Sequence, residues 1–89
     1  MAWGVEYGKD AAKEIAKFDR QIAQRIIQFM GGRVAKLDNP RSIGEALTGS
    51  KLGDYWKYRV GDYRIIAEIQ DAKLIVQVVR VGNRREVYK

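Results

Sequence analysis

The dipeptide Gly61-Asp62, set between two alternating segments, constrains the fold of this 89-residue chain most strongly. Tyr55–Val60 alternates apolar or aromatic residues with cationic ones, and Tyr63–Ile69 resumes an alternating pattern directly after the dipeptide. A period of two is typical of strands that bury one face, and a two-residue connection containing glycine joins antiparallel neighbours. The sequence therefore predicts a β-hairpin whose side chains alternate between opposite faces of a sheet.

The N-terminal half has the pattern of one strand followed by two helices. Trp3–Tyr7 alternates like a half-buried strand. Apolar residues at spacings of three and four predict a helix over Asp10–Phe18 and a longer one with Asp19 as its N-cap. Gly31-Gly32 should bend or fray the second helix, and Asn39-Pro40 should end it, because the residue before proline disfavours the helical region.

The C-terminal half is predicted to be mostly strands. Arg41–Gly53 shows no period and is interpreted as a surface connection. After a turn at Gln70–Ala72, Lys73–Val81 is apolar at nearly every position, which is typical of a central strand covered on both faces. Gly82-Asn83 should end this strand, and Glu86–Tyr88 suits a short final one.

The order β-α-α-β-β-β predicts an α+β fold with two N-terminal helices on one face of a mainly antiparallel four-stranded sheet, as a single domain over residues 1–89. A chain of this length buries only about 60 to 65% of its unfolded surface. It has no cysteine, so neither disulfides nor thiolate metal sites are available. No apolar run approaches the roughly 18 residues of a membrane span, and no signal-peptide pattern is present, so the expected location is the cytoplasm without a membrane partner.

The charge is strongly positive and unevenly distributed. The net charge is +6 and the pI is about 9.8. Residues 1–45 carry eight Lys or Arg against six Asp or Glu, whereas residues 46–89 carry nine against five. A basic surface in the second half favours polyanions as partners.

Three of these cations should lie on one face of the hairpin. Lys57 and Arg59 share one face of the first strand, while the aromatic and apolar residues between them point to the other. Arg64 follows the turn by one residue and lies opposite the apolar set of the second strand, so it should sit beside Arg59. Three neighbouring cations repel one another unless an anion lies among them. The alternative is a solvated outer face whose cations discourage edge pairing.

A second group of cations, in Val79–Lys89, follows the hairpin cations along the sequence. These cations and the aromatic side chain of Tyr88 should lie at the end of the sheet. A turn after a central strand lets side chains reach a concave surface. For Tyr88 the alternative is an aromatic lid over the sheet edge, and Arg85 with Glu86 also suits a solvated ion pair. The cations we assign to RNA contact are Lys51, Arg80, Arg85 and Lys89.

These residues resemble a known family. Trp56–Ile66, followed by Val81–Tyr88, is similar to the two-part signature of RelE-type toxins of the RelE/ParE toxin–antitoxin superfamily. Leu47-Thr48-Gly49 and Asp38–Arg41 also resemble that family. The resemblance covers nearly the whole chain in order and length.

The resemblance implies a ribosome-dependent endoribonuclease that cuts mRNA in the A site and thereby inhibits translation. The substrate's own 2′-OH would attack the adjacent phosphate without a metal or other cofactor. A cognate antitoxin would silence the toxin in a hetero-oligomer, and the ribosome, including its 16S rRNA, would be a further partner. The family's functional positions fall on Lys57, Arg59, Arg64, Arg84 and Tyr88.

The chemistry restricts the roles of these residues. The chain has no histidine. Because arginine stays protonated, Arg64 and Arg84 can stabilise charge but are poor bases, which leaves Lys57 or Tyr88 as the general base. We expect Arg64 to hold the phosphate, and Arg84 to hold it as well or to donate a proton to the leaving oxygen.

The sequence departs from the family pattern at two positions. Many members have lysine where Arg59 stands and histidine where Asn83 stands.

Two alternative functions are also open. The first alternative is a toxin of the same fold that inhibits DNA gyrase, as in the ParE branch, whose members generally lack this cation and tyrosine set. The second is a non-catalytic module that binds RNA or ribosomes.

Overall fold

The computed structural model describes residues 3–47 and 55–83. Two helices pack against a five-stranded sheet, which confirms the predicted α+β class with a mainly antiparallel sheet. The elements are β1 (Gly4–Tyr7), α1 (Lys9–Ala16), α2 (Arg20–Gly32), β2 (Glu45–Ala46), β3 (Tyr55–Val60), β4 (Tyr63–Gln70) and β5 (Ile75–Asn83), with short 3₁₀ turns at Val34–Lys36, Pro40–Ile43 and Asp71–Lys73. Neither helix in this part of the chain has the length and apolar character that crossing a bilayer requires.

The strand order is β1-β5-β4-β3-β2. β1 runs parallel to β5, and the other neighbours are antiparallel. The additional strand, β2, lies in the segment predicted to be an irregular surface connection, and it pairs Glu45 with Lys57 and Ala46 with Trp56. That prediction is wrong for these two residues, because pairing them covers part of the outer edge of β3. The predicted final strand Glu86–Tyr88 lies outside the described residues.

The predicted hairpin is confirmed. Val60 pairs with Tyr63 across Gly61-Asp62. Gly61 has a φ of +58°, a left-handed conformation that glycine adopts without the steric cost of a Cβ atom. The turn fixes the register of every following pair, so it determines which side chains of β3 and β4 share a face.

The core lies between the helices and one face of the sheet. Tyr58 is its largest fully buried side chain; its ring lies 6.1 Å from that of Phe29, and its hydroxyl donates a 2.6 Å hydrogen bond to the Pro40 carbonyl. Burial raises the pKa of Tyr58 to about 12, against a smaller opposite effect of the Arg41 charge. The core cluster consists of Ala11, Ile26, Met30, Val34, Tyr58, Ile65, Ala67, Val76, Val78 and Val81.

Both helices end earlier than predicted. α1 ends at Ala16, and α2 ends at Gly32, where the sequence predicted bending or fraying. Val34 and Ala35 stay buried, but in a 3₁₀ turn rather than in a continued α-helix. Asp19 occupies the predicted N-cap position, although its side chain makes no capping hydrogen bond. The glycine pair therefore changes the geometry of the apolar stripe without removing it from the core.

β5 differs from the prediction in its bounds and in its burial. It continues through Gly82-Asn83, and a bulge shifts its register, since Ala67 pairs with Val78 but Ile66 pairs with Arg80. The extra residue of the bulge shifts the alternation of side chains between the two faces by one position. Val78 and Val81, three residues apart, are therefore both buried. The prediction of cover on both faces is wrong, because the helices lie on one face and side chains on the other are only partly buried.

Candidate active site and cationic surface

Arg59 and Arg64 lie directly opposite each other across the hairpin. Residues paired in this way have Cβ atoms about 4.5 to 5.5 Å apart and point to the same face. Tyr58, between Lys57 and Arg59, points into the core, so the predicted placement of Lys57, Arg59 and Arg64 on the opposite face is confirmed. Their roles in catalysis stay predictions.

Arg64 is the most confined of the three cations. Its exposed fraction is 8%, whereas Arg59 is exposed. Its Nη1 lies 3.4 Å from the Tyr63 carbonyl oxygen, and its partner on β5 is Gly82, which adds no side chain beside it. A guanidinium confined in this way presents its donors in a fixed direction, as a phosphate clamp requires.

Lys57 has an acidic neighbour that the sequence analysis missed. β2 brings Glu45 opposite Lys57, with Oε2 3.5 Å from Nζ. Their side chains are 71% and 31% exposed, so the pair contributes at most about 1 kcal/mol. A two-residue strand has no period, so no sequence signal pointed to Glu45.

Arg80 lies at the bulge of β5 and is bound by α1. The Glu14 carboxylate accepts hydrogen bonds from Arg80 Nε at 3.1 Å, from Nη2 at 3.1 Å, and from the Val81 amide at 2.9 Å. Its hydrogen bond and negative charge raise the pKa of Arg80 above the ordinary value. The assignment of Arg80 to RNA contact stays a prediction, and Glu14 would compete with a phosphate for this side chain.

A further cation stabilises the connection before β2. Arg41 donates two hydrogen bonds to Asp71, at 3.0 and 2.8 Å, and its Cζ lies 5.8 Å from the centre of the Trp56 ring. The hydrogen bond from Arg41 lowers the pKa of the Asp71 carboxyl below its ordinary value. These contacts hold the segment that carries β2 against the rest of the sheet.

A depression of about 410 Å³ beside the hairpin turn gathers three arginines. Arg25 and Arg33 come from α2 and its C-cap, and Arg59 comes from β3. The two helical arginines were not predicted as site residues, because the recognisable pattern of this segment is its apolar stripe. Their separation of eight residues puts them about two turns apart, and that spacing was the available signal.

The other predicted site residues lie outside the described part of the chain: Arg84 and Tyr88 of the catalytic set, and Lys51, Arg85 and Lys89 of the RNA-contacting set. Within residues 3–47 and 55–83, no three acidic side chains gather where a metal ion could be held.

Comparison with known proteins decides the family. The model of the ParE toxin of type II toxin–antitoxin systems, parDE, matches residues 5–88. A RelE-like toxin protein of Escherichia coli is 34% identical over 84 residues, which cover 94% of this chain and 85% of that protein. The chain belongs to the RelE/ParE superfamily of type II toxins. The resemblance to RelE-type toxins is thus confirmed over almost the full length.

Other relatives of this toxin agree with that membership. The mRNA interferase toxin RelE of E. coli K12 is 29% identical over 90 residues, which cover 99% of this chain and 92% of the relative. In the solved RelBE2 toxin–antitoxin complex of Mycobacterium tuberculosis, a chain superposes with a TM-score of 0.83 at 23% identity, over 97% of this toxin and 95% of that chain. The intact E. coli RelBE complex gives 0.75 at 23% identity, over 92% and 96%. These two structures support the fold.

Proposed function

We propose that this toxin is a ribosome-dependent endoribonuclease that cleaves mRNA in the A site and so inhibits translation. The observation that carries the proposal is the shared face of Lys57, Arg59 and Arg64, with Arg59 directly opposite Arg64. These are positions at which the RelE signature has its functional residues. The likeness to a protein named an mRNA interferase supports the same reaction.

The cations suit an in-line attack by the substrate's 2′-OH on the adjacent phosphate. The charge on the phosphoryl oxygens grows in the transition state, and preorganised donors aimed at it lower the barrier. Arg64, confined and hydrogen-bonded to the backbone, suits the fixed clamp, while the exposed Arg59 approaches the same phosphate from the neighbouring strand. Arg84 is proposed as a second clamp or as the proton donor to the leaving 5′-oxygen.

The general base is proposed to be Lys57 or Tyr88. Arginine cannot take this role because it does not lose its proton in proteins. Glu45 Oε2 lies 3.5 Å from Lys57 Nζ, so the Glu45 carboxylate competes with a substrate phosphate for Lys57. Substrate binding would therefore exchange one anion for another at Lys57.

Two macromolecular partners follow from the proposal. RelBE complexes of the same fold support a cognate antitoxin that binds this toxin in a hetero-oligomer. Cleavage in the A site requires the ribosome, with 16S rRNA contacts made by cations outside the reacting phosphate. Both partners would be met in the cytoplasm.

A ParE-like action on DNA gyrase is the second candidate, because the matching family model is that of the ParE toxin. It uses protein contact rather than phosphate chemistry, so Arg64 and Lys57 would have no reacting group to bind. Gyrase inhibition without RNA cleavage would support it. A non-catalytic RNA-binding module would bind ribosomes and leave the message intact.

The test is to add purified toxin to a translating system and to map the 5′ ends of the message by primer extension. We expect new ends within ribosome-bound codons, and their loss in Arg64→Ala. Lys73→Ala, which removes an exposed cation from a 3₁₀ turn, is the matched control and should cut normally. An intact message together with inhibited DNA supercoiling would overturn the proposal.

A further inference from the structure

A second cationic surface lies beside the hairpin edge, next to the face that carries the candidate active site. We call it the edge depression; its cations are Arg25, Arg33 and Arg59, and its volume is about 410 Å³. Arg25 lies over the turn, since a Cβ atom added to Gly61 would be 3.9 Å from its Nη2. Arg59 therefore belongs both to the hairpin face of Arg64 and to this depression.

The charge in the edge depression is not compensated within the described residues. Three other cations of this part of the chain have acidic partners: Arg41 pairs with Asp71, Lys57 with Glu45 and Arg80 with Glu14. No carboxylate lines the edge depression, and the ion pairs among residues 3–47 and 55–83 include none of its three arginines. Converging guanidinium groups without a counter-charge repel one another and are stabilised by a bound anion.

A neighbouring pocket has the composition that suits a nucleobase. It has a volume of about 340 Å³ and shares Arg25, Val60 and Gly61 with the edge depression. It is also lined by Ile22, Asp62, Tyr63 and Asn83, so it contains one carboxylate. The Tyr63 ring is held by packing on Phe18, with ring centres 5.0 Å apart. An aromatic surface beside an amide group is the usual environment of an unstacked RNA base.

We infer that the edge depression and this pocket form a second RNA-binding subsite, which holds one nucleotide of the strand that is cleaved, outside the reacting step. Its phosphate lies among Arg25, Arg33 and Arg59, and its base lies beside Tyr63. The inference rests on the proposed function, because Arg59 links this subsite to the phosphate held by Arg64. A single strand would thus follow the hairpin from its outer face around its edge to α2.

The test compares two lengths of one RNA sequence. Fluorescence anisotropy measures binding of a labelled dinucleotide, which has a single internal phosphate for Arg64, and a labelled decanucleotide, both 2′-O-methylated to prevent cleavage. We expect Arg25→Gln with Arg33→Gln to weaken decanucleotide binding about tenfold and to leave dinucleotide binding unchanged. The slope of log affinity against log salt should fall by about 0.7 for each lost phosphate contact.

The matched control removes the same charge from the same region but outside the edge depression. Arg20→Gln with Lys36→Gln should leave decanucleotide binding within about twofold at physiological salt, where exposed charges are screened beyond about 8 Å. Arg25→Lys with Arg33→Lys should retain most of the salt slope, since it keeps both charges. Thermal melts of all variants verify folding, and all four altered residues are exposed.

Each of the following results would overturn the inference. Equal weakening in the Arg20–Lys36 control would show that only net charge matters. Equal weakening for the dinucleotide would place the two arginines at the reacting step rather than at a separate subsite. Lost binding of the cognate antitoxin with unchanged RNA binding would assign the surface to a protein partner. Normal cleavage with unchanged decanucleotide binding refutes only this subsite, whereas wild-type toxin that binds neither RNA and cuts no message refutes the proposed function as well.

Discussion

The Glu14 carboxylate of α1 accepts a 2.9 Å hydrogen bond from the backbone amide of Val81, a residue 67 positions later in the chain. Val81 follows the bulge of β5, beyond the stretch that pairs with β1, so this amide faces the helix rather than another strand. The same carboxylate binds the Arg80 guanidinium. Glu14 thus fixes the C-terminal part of β5.

Replacing Glu14 with alanine should destabilise the toxin by about 1–3 kcal/mol. The substitution leaves the part-buried Val81 amide without its acceptor, which costs more than losing an exposed ion pair. Urea unfolding measures the change. Lys13→Ala, an exposed change on the same helix, should stay within about 0.5 kcal/mol. If Arg80→Ala destabilises the toxin as much as Glu14→Ala, the ion pair matters and the amide bond does not.

Gly44→Ala should destabilise the toxin by about 1–3 kcal/mol. A Cβ atom at this position would lie 2.9 Å from Cε1 of Tyr58 and 3.2 Å from the Lys57 carbonyl oxygen. The φ of Gly44 is −106°, so the cost comes from crowding against a buried ring and not from the backbone conformation. Because Lys57 and β2 adjoin this contact, cleavage should fall together with stability.

The control for that prediction is Gly31→Ala, which should have the opposite sign. Gly31 lies within α2, and a Cβ atom there would meet nothing within 4 Å. Gly31 is the next-to-last residue of α2 and has a negative φ, so alanine there should be more favourable than glycine by up to about 0.5–1 kcal/mol. Thermal melts of the two variants should therefore move in opposite directions. A loss of stability in Gly31→Ala would contradict the expectation that a Cβ atom fits at this position without contacting its neighbours.

Removing the Tyr58 hydroxyl should abolish part of the alkaline destabilisation of the toxin. The pKa of Tyr58 is raised by burial from 10.0 to about 12, so the folded state keeps its phenol proton where the unfolded state loses it. The protonated Tyr58 phenol therefore contributes its full stabilisation of the folded state below pH 10, and this contribution is lost as the pH rises towards 12. Urea unfolding across this range should give a shallower pH dependence for Tyr58→Phe. At pH 7 the variant should lose about 1 kcal/mol, because the 2.6 Å bond to Pro40 is missing.

Glu45→Gln should strengthen RNA binding by about two- to fivefold at low salt. Glu45 Oε2 competes with a substrate phosphate for Lys57, and removing its charge removes that competition. Anisotropy with the dinucleotide measures the change. Glu6→Gln removes the same charge at the opposite edge of the sheet, on β1, and should have a smaller effect. Equal effects of the two variants would show that the change in net charge alone explains the result.

The hairpin and its cations were predictable because a period of two and a glycine turn determine both register and face. Lys57, Arg59 and Arg64 follow from that local pattern alone. β2 was not predictable, since Glu45–Ala46 is a strand only through its pairing with β3. The bulge in β5 was not predicted, because two successive valines, Val78 and Val79, leave open which of them faces the core. The edge depression depends on α2 and the hairpin lying side by side, which no local pattern contains.

Lysine substitutions at Arg64 and at Arg59 should have different effects on cleavage, because Arg64 acts through a fixed planar guanidinium whereas Arg59 acts as an exposed positive charge. Arg64 is 8% exposed and donates to a backbone carbonyl, so its planar fork is held in one direction, which the flexible lysine ammonium cannot reproduce. Arg59 is exposed, and a point charge there can still reach the same phosphate. We expect Arg64→Lys to lower the rate of message cleavage about a hundredfold, and Arg59→Lys to change it by less than about threefold. Primer extension over a time course measures both rates, with thermal melts to verify folding. Similar losses in the two variants would contradict the distinction, and full activity in Arg64→Lys would remove Arg64 as the clamp.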